Sequence, residues 1–204
     1  MAENDARLAS SEMYESITSL PPAKRYIITH NEQGKSTIHS SPALQFYGYP
    51  GVGGTARSYA TSSTPATLEG DKDIEAYTSK EGDTSYTGRS IVANGSGSHL
   101  IVCELGPGQA SQMHQTVSID YVVCTHGKVK LETATGEMVN LNPGDHIIQR
   151  GTMHKWHNTS ETEPCRFIAF VQPAEPFQIP GTGKMLAEEH VSGSEAKDFD
   201  LSKL

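Results

Sequence analysis

From Leu100 to Val171 the chain is a succession of short apolar-rich runs, each cut off by glycine, proline, asparagine or serine. Leu100 to Leu105 stops at Gly106-Pro107-Gly108, and Asp120 to Cys124, Val129 to Thr133 and Met138 to Leu141 follow. Three more runs, His146 to Gln149, Lys155 to Asn158 and Arg166 to Val171, complete the series. Turn signals every ~8–12 residues between short runs predict an all-β sandwich or barrel. No long stretch keeps a helical period, which argues against an α/β fold with a parallel sheet. The 19 glycines and 11 prolines are spread along the 204 residues, a length that suits one well-packed core.

The flanks read differently. Residues 1–24 are a polar N-terminal extension ending in the break Pro21-Pro22, with a short helix expected between Met13 and Leu20. Tyr26 to His30 reads as a strand, followed by turn residues Asn31 to Gly34. Ser40 to Tyr59 carries Phe46, Tyr47, Tyr49 and Tyr59 among glycines, the pattern of irregular chain and edge strands wrapping a core. Residues 62–88 are polar and acidic and predict a solvated loop with one helical turn. A single domain over 25–180 is expected, its core at about 90–175, with residues 181–204 as a polar, helix-prone C-terminal tail.

Several function classes are disfavoured. A net charge of −8, without a Lys/Arg stripe, is wrong for nucleic acid. The first residues lack the basic-then-apolar order of a secretory signal, and no apolar run reaches membrane-spanning length. Cys103, Cys124 and Cys165 show no CxxC spacing and read as buried thiols of a reducing compartment. Ser202-Lys203-Leu204 is a terminal peroxisomal address, so the expected location is cytoplasmic or peroxisomal, with the import receptor as a partner. Phosphate-cradling loop, serine elbow and zinc-finger spacing are missing, so no nucleotide or organic cofactor is expected.

The strand period of two puts His114 and Thr116 on one face and His154, Trp156 and Asn158 on another. The run Gly108-(five residues)-His114-Gln115-Thr116-(three residues)-Asp120-(six residues)-Gly127 resembles the first motif of the cupin superfamily. Gly144 to Asn158 resembles the second, with its closing Gly151-x-x-His154-x-x-x-Asn158 intact. The string around His154 is similar to a subgroup of small microbial and fungal cupins that accompany polyketide and other secondary-metabolite pathways. The resemblance implies a double-stranded β-helix, or jelly-roll, barrel, commonly a homodimer, with its site inside.

In metal-binding cupins, two histidines and a glutamate of the first motif and a histidine of the second hold the ion. Here His114 and His154 match, Asp120 stands for the glutamate and Thr116 for the second histidine. Two readings follow. His114, Asp120 and His154 form a three-ligand set for one divalent Fe, Mn, Ni, Cu or Zn. Alternatively, His114, His154 and Asp120 are catalytic acid–base groups without metal. Thr116 and Trp156 are expected to line the substrate pocket. Arg57, in a stretch resembling an upstream element of the same subgroup, is expected at its mouth. His30, His39, His99 and His190 have no motif partner. The expected function is a lyase or isomerase performing decarboxylation or dehydration on an oxygenated, polyketide-like acid. The alternatives are a mononuclear iron dioxygenase and a non-catalytic small-ligand binder.

Overall fold

The computed structural model describes residues 12–194. Ser202-Lys203-Leu204 lies outside them. Three antiparallel sheets make up the protein. A hairpin pairs β1 (Ile27–His30) with β2 (Ser36–His39) around the turn at Asn31 to Gly34. A six-stranded sheet contains β3 (Phe46–Tyr49), β4 (Gly53–Thr61), β5 (Ser98–Leu105), β7 (Ser118–His126), β10 (His146–Arg150) and β12 (Cys165–Pro173). Its order is β10-β7-β12-β5-β4-β3. The five-stranded sheet contains β6 (Met113–Gln115), β8 (Val129–Thr133), β9 (Met138–Leu141), β11 (His154–Asn158) and β13 (Glu189–Val191). Its order is β13-β6-β11-β8-β9.

The two larger sheets share a core. Along β7, Ser118, Asp120, Val122 and Cys124 are buried while Tyr121 and Val123 are exposed, the alternation of a half-buried strand. Ile101, Val122, Phe167 and Val171 from the six-stranded sheet pack with Val129, Leu131, Leu141 and Trp156 from the five-stranded one. The expected jelly-roll barrel is corrected here: no sheet closes on itself. β10 and β3 form the edges of one sheet and β13 and β9 those of the other, so the hydrogen-bond ladder does not run round a ring.

A second cluster on the far side of the six-stranded sheet joins Val102, Ala56 and Phe46 to Ile17 and Leu44. The N-terminal segment reaches it as extended chain. Tyr14 exchanges backbone hydrogen bonds with Phe46 at 3.0 and 2.7 Å, and Ile17 is buried. The helix expected between Met13 and Leu20 is therefore absent: packing against the sheet outweighs a weak local preference. The acidic loop does contain a helix, α1 (Lys72–Thr78), which buries Ile74 and Tyr77. No helix among the described residues is long and apolar enough to cross a membrane.

Candidate functional site

β6 and β11 pair at one position, where His114 stands opposite His154, so both side chains leave the same face of the sheet. Their ring centroids are 4.3 Å apart with planes inclined by 52°. Each ring is anchored in the same way: Nδ1 of His114 lies 2.8 Å from the Gln112 carbonyl, and Nδ1 of His154 lies 2.8 Å from the Thr152 carbonyl. A carbonyl can only accept, so each Nδ1 carries the proton and each neutral ring keeps its lone pair on Nε2. Burial pushes His154 down to about 4, with the neighbouring His114 acting in the same direction and the Thr152 carbonyl opposing. Burial also lowers His114, against the pull of the Gln112 carbonyl. At neutral pH the pair is thus two uncharged bases side by side.

The row continues on both sides. Thr133 of β8 stands opposite His154, and His190 of β13 stands opposite His114. The His190 ring stacks on His114, centroids 5.6 Å apart and planes within 9°. His190 is the residue that the motifs missed: nothing local in a polar tail marks it, and only the pairing of β13 with β6 brings it here. Trp156 presents an edge to His154 at 5.7 Å and stacks on Phe167 at 4.7 Å, so it serves the core and backs the pair together. Asn158 is a clamp: its Nδ2 donates to the carbonyls of Gly106 and Glu163, each at 2.8 Å.

Asp120, Thr116 and Arg57 lie on other elements than the histidine pair. Asp120 projects from the inner face of the six-stranded sheet, between Gln149 and Val171 on the flanking strands. Thr116 Oγ1 is 2.8 Å from Ser118 Oγ, and Ser118 in turn bonds Asp120, giving a short polar line. The guanidinium of Arg57 is buried and donates to the carbonyls of Asp83, Ser85 and Ser90 at 2.7 to 2.9 Å. Those bonds fasten the 83–90 segment to β4.

The metal-binding expectation is also corrected. Among the described residues no group of three or more His, Cys, Asp or Glu side chains is arranged to hold an ion. His114 and His154 converge, but Asp120 does not join them, and the Thr116 hydroxyl at the missing histidine's position bonds Ser118. The residues present do not fit the three-ligand centre of His114, Asp120 and His154.

Asp120 is 8% exposed, and its Oδ1 has no hydrogen-bond partner among the described residues. Burial raises its pKa from 3.8 to about 6, against the Ser118 hydrogen bond. Between those values the folded state keeps a proton that the unfolded chain gives up. The associated stability is full below 3.8 and is lost as pH rises through about 6. Asp120→Asn should therefore stabilise the protein at pH 7.5, by up to roughly 3 kcal/mol, and the gain should vanish near pH 4. Urea denaturation at the two pH values measures it; a variant less stable than wild type at pH 7.5 contradicts the burial argument.

Two packed antiparallel sheets, open at their edges, thus carry a pair of neutral histidines side by side on one strand register. No family model matches the chain. Individual relatives do. "Phomopsin biosynthesis cluster protein D" of Diaporthe leptostromiformis is 35% identical over 182 residues, 85% of this chain and 90% of that protein. "Cupin-domain-containing oxidoreductase fogC" of Aspergillus ruber is 31% identical over 188 residues, 90% of this chain and 87% of the relative. "Oryzines biosynthesis cluster protein J" of Aspergillus oryzae is 30% identical over 172 residues, 82% of this chain and 93% of its own length. The chain belongs to the cupin superfamily.

Proposed function

We propose that this protein is an acid–base enzyme of secondary metabolism, a lyase or isomerase acting on an oxygenated, polyketide-like molecule. One observation carries the reading: His114 and His154 stand side by side with Nδ1 tied to carbonyls, which leaves a lone pair on each Nε2. The names of the relatives, two of them for phomopsin and oryzines biosynthesis clusters, support the pathway type.

His154, the more buried of the two, takes the proton from a carbon next to a carbonyl or from a hydroxyl. The resulting imidazolium is steadied by its Nδ1–H bond to Thr152. His114 accepts a second hydrogen bond from the substrate and orients it. Trp156 backs His154 and keeps water from that side. The Thr116–Ser118–Asp120 line, which runs from the loop after β6 into β7, offers hydroxyls and a carboxyl to the substrate's oxygens.

The test is hydrogen–deuterium exchange at carbon. Chelator-treated protein is incubated in D2O with a panel of enolisable aromatic and polyketide-like carbonyl compounds, and deuterium uptake is read by mass spectrometry. Uptake at one carbon above the protein-free rate is the expected result. No uptake across the panel, with binding still detectable, would leave a ligand-binding protein instead. The word "oxidoreductase" in the name of the Aspergillus ruber relative favours a second reading, net oxidation of a similar substrate. An oxidation consumes an oxidant in step with product, whereas a lyase or isomerase turns over with none.

A further inference from the structure

The C-terminal strand is tied to the site by more than its ladder. Gln115 Nε2 donates to the Ala187 carbonyl at 3.0 Å, and the backbone N–H of Met113 donates to Ser194 Oγ at 2.8 Å. Leu186 is 2% exposed and sits on Gly151, where a Cβ would come within 2.6 Å of Leu186 Cδ2. The glycine that closes the second motif thus makes room for the leucine that seats the strand. Immediately beyond that leucine, Glu188 and His190 arrive at the histidine pair.

We infer that His190 is a substrate-binding residue of this site, carried in by β13 and oriented by Glu188. The inference rests on the acid–base reading of His114 and His154 and extends it to the class of substrate. His190 Nε2 lies 3.2 Å from Glu188 Oε1, and a carboxylate can only accept, so Nε2 carries a proton and Nδ1 is the nitrogen that can hold a lone pair. The rings of His190, His114 and His154 then form one row across three strands, with spacings of 5.6 and 4.3 Å, and each neutral ring carries one acceptor nitrogen. Exposure falls along the row: the His190 side chain is 42% exposed, His114 is half-buried and His154 is 3% exposed. A ligand entering from solvent meets His190 first. A row of acceptors selects a molecule with several donors, so the substrate is a polyphenol or poly-enol and not a compound with a single hydroxyl.

Phenol and resorcinol separate these cases, the second carrying one more hydroxyl in the meta position. Their binding to the full chain is followed by the imidazole ¹⁵N resonances of ¹⁵N-histidine-labelled protein. Both compounds should shift the Nε2 signals of His114 and His154, and resorcinol should also shift Nδ1 of His190 and bind about five- to tenfold tighter. His190→Ala should bring resorcinol down to the level of phenol and leave phenol unchanged. Glu189→Ala changes the same strand at a side chain on its other face and should alter neither. If His190→Ala weakens both compounds equally or neither, His190 is not a binding residue, while the reading of the His114–His154 pair stands. If neither compound moves His114 or His154, the acid–base reading fails and this inference falls with it.

Discussion

Exchanging His154 for glutamine should lower the rate of deuterium exchange into a reactive compound by about 10²- to 10⁴-fold. Glutamine still hydrogen-bonds but cannot take up a proton, so the loss isolates base catalysis from packing. His114→Gln should lose much less, because the amide oxygen still accepts the orienting hydrogen bond, whereas His114→Ala should lose it. The double variant should lose little more than the worse single one, because groups that act as a unit are not additive. The pH profile supplies an independent check. The working form is the neutral imidazole, and burial has pushed His154 from 6.5 down to about 4. The rate should therefore hold as pH falls through 6.5 and drop only as it nears about 4, over the range in which the protein stays folded. An acid limb centred near 6.5 would mean that the base is a solvated histidine elsewhere.

The sequence showed the strands better than their assembly, for a physical reason. Period-two burial and turn residues are local properties, and β5, β7, β8, β10, β11 and β12 stand close to where those signals put them. β4 is the counter-example. Its nine residues, Gly53–Thr61, lie inside the sheet between β3 and β5, yet two adjacent glycines and interspersed serine and threonine gave it the look of irregular chain. β13 is three exposed polar-rich residues whose extended form comes from pairing with β6, not from propensity. Barrel closure is likewise a property of ladder ends, on which strand patterning is silent.

The same divide runs through the site. His114 and His154 were legible because each sits at a motif position on a short strand, and the register of β6 against β11 joins them. Motif spacing makes Asp120 their companion, and its strand lies in the sheet that packs on theirs across the shared core. Arg57 was read as a residue of the mouth. The carbonyls of Asp83, Ser85 and Ser90 take up its guanidinium, and backbone acceptors in a loop leave no trace in residue type. His190 lies far along the chain from His114 and shares no periodicity with it, so tertiary pairing alone brings it in.

Removing Arg166 tests a buried electrostatic contact. Arg166 and Glu104 are direct partners across β12 and β5, at 7% and 2% exposure. Nε of Arg166 donates to Glu104 Oε1 at 2.7 Å, Nη2 reaches the same oxygen, and Thr18 donates to Oε2 at 2.5 Å. Nη2 also donates to the Pro21 carbonyl at 2.6 Å, so the pair pins the N-terminal segment over the sheet. Arg166→Met keeps much of the volume but leaves a carboxylate buried with a single hydroxyl donor. That change should cost about 3–5 kcal/mol by urea denaturation. Adding Glu104→Leu removes the stranded charge, and because an apolar pair can match a buried ion pair, most of the loss should return. What remains would measure the bonds to Thr18 and Pro21, on the order of 1 kcal/mol each. If the double variant is as unstable as the single one, the loss comes from detaching residues 18–21 and not from an uncompensated charge. Faster proteolysis before Pro21 in both variants would then accompany it, whereas the charge argument predicts faster cleavage in Arg166→Met and much less in the double.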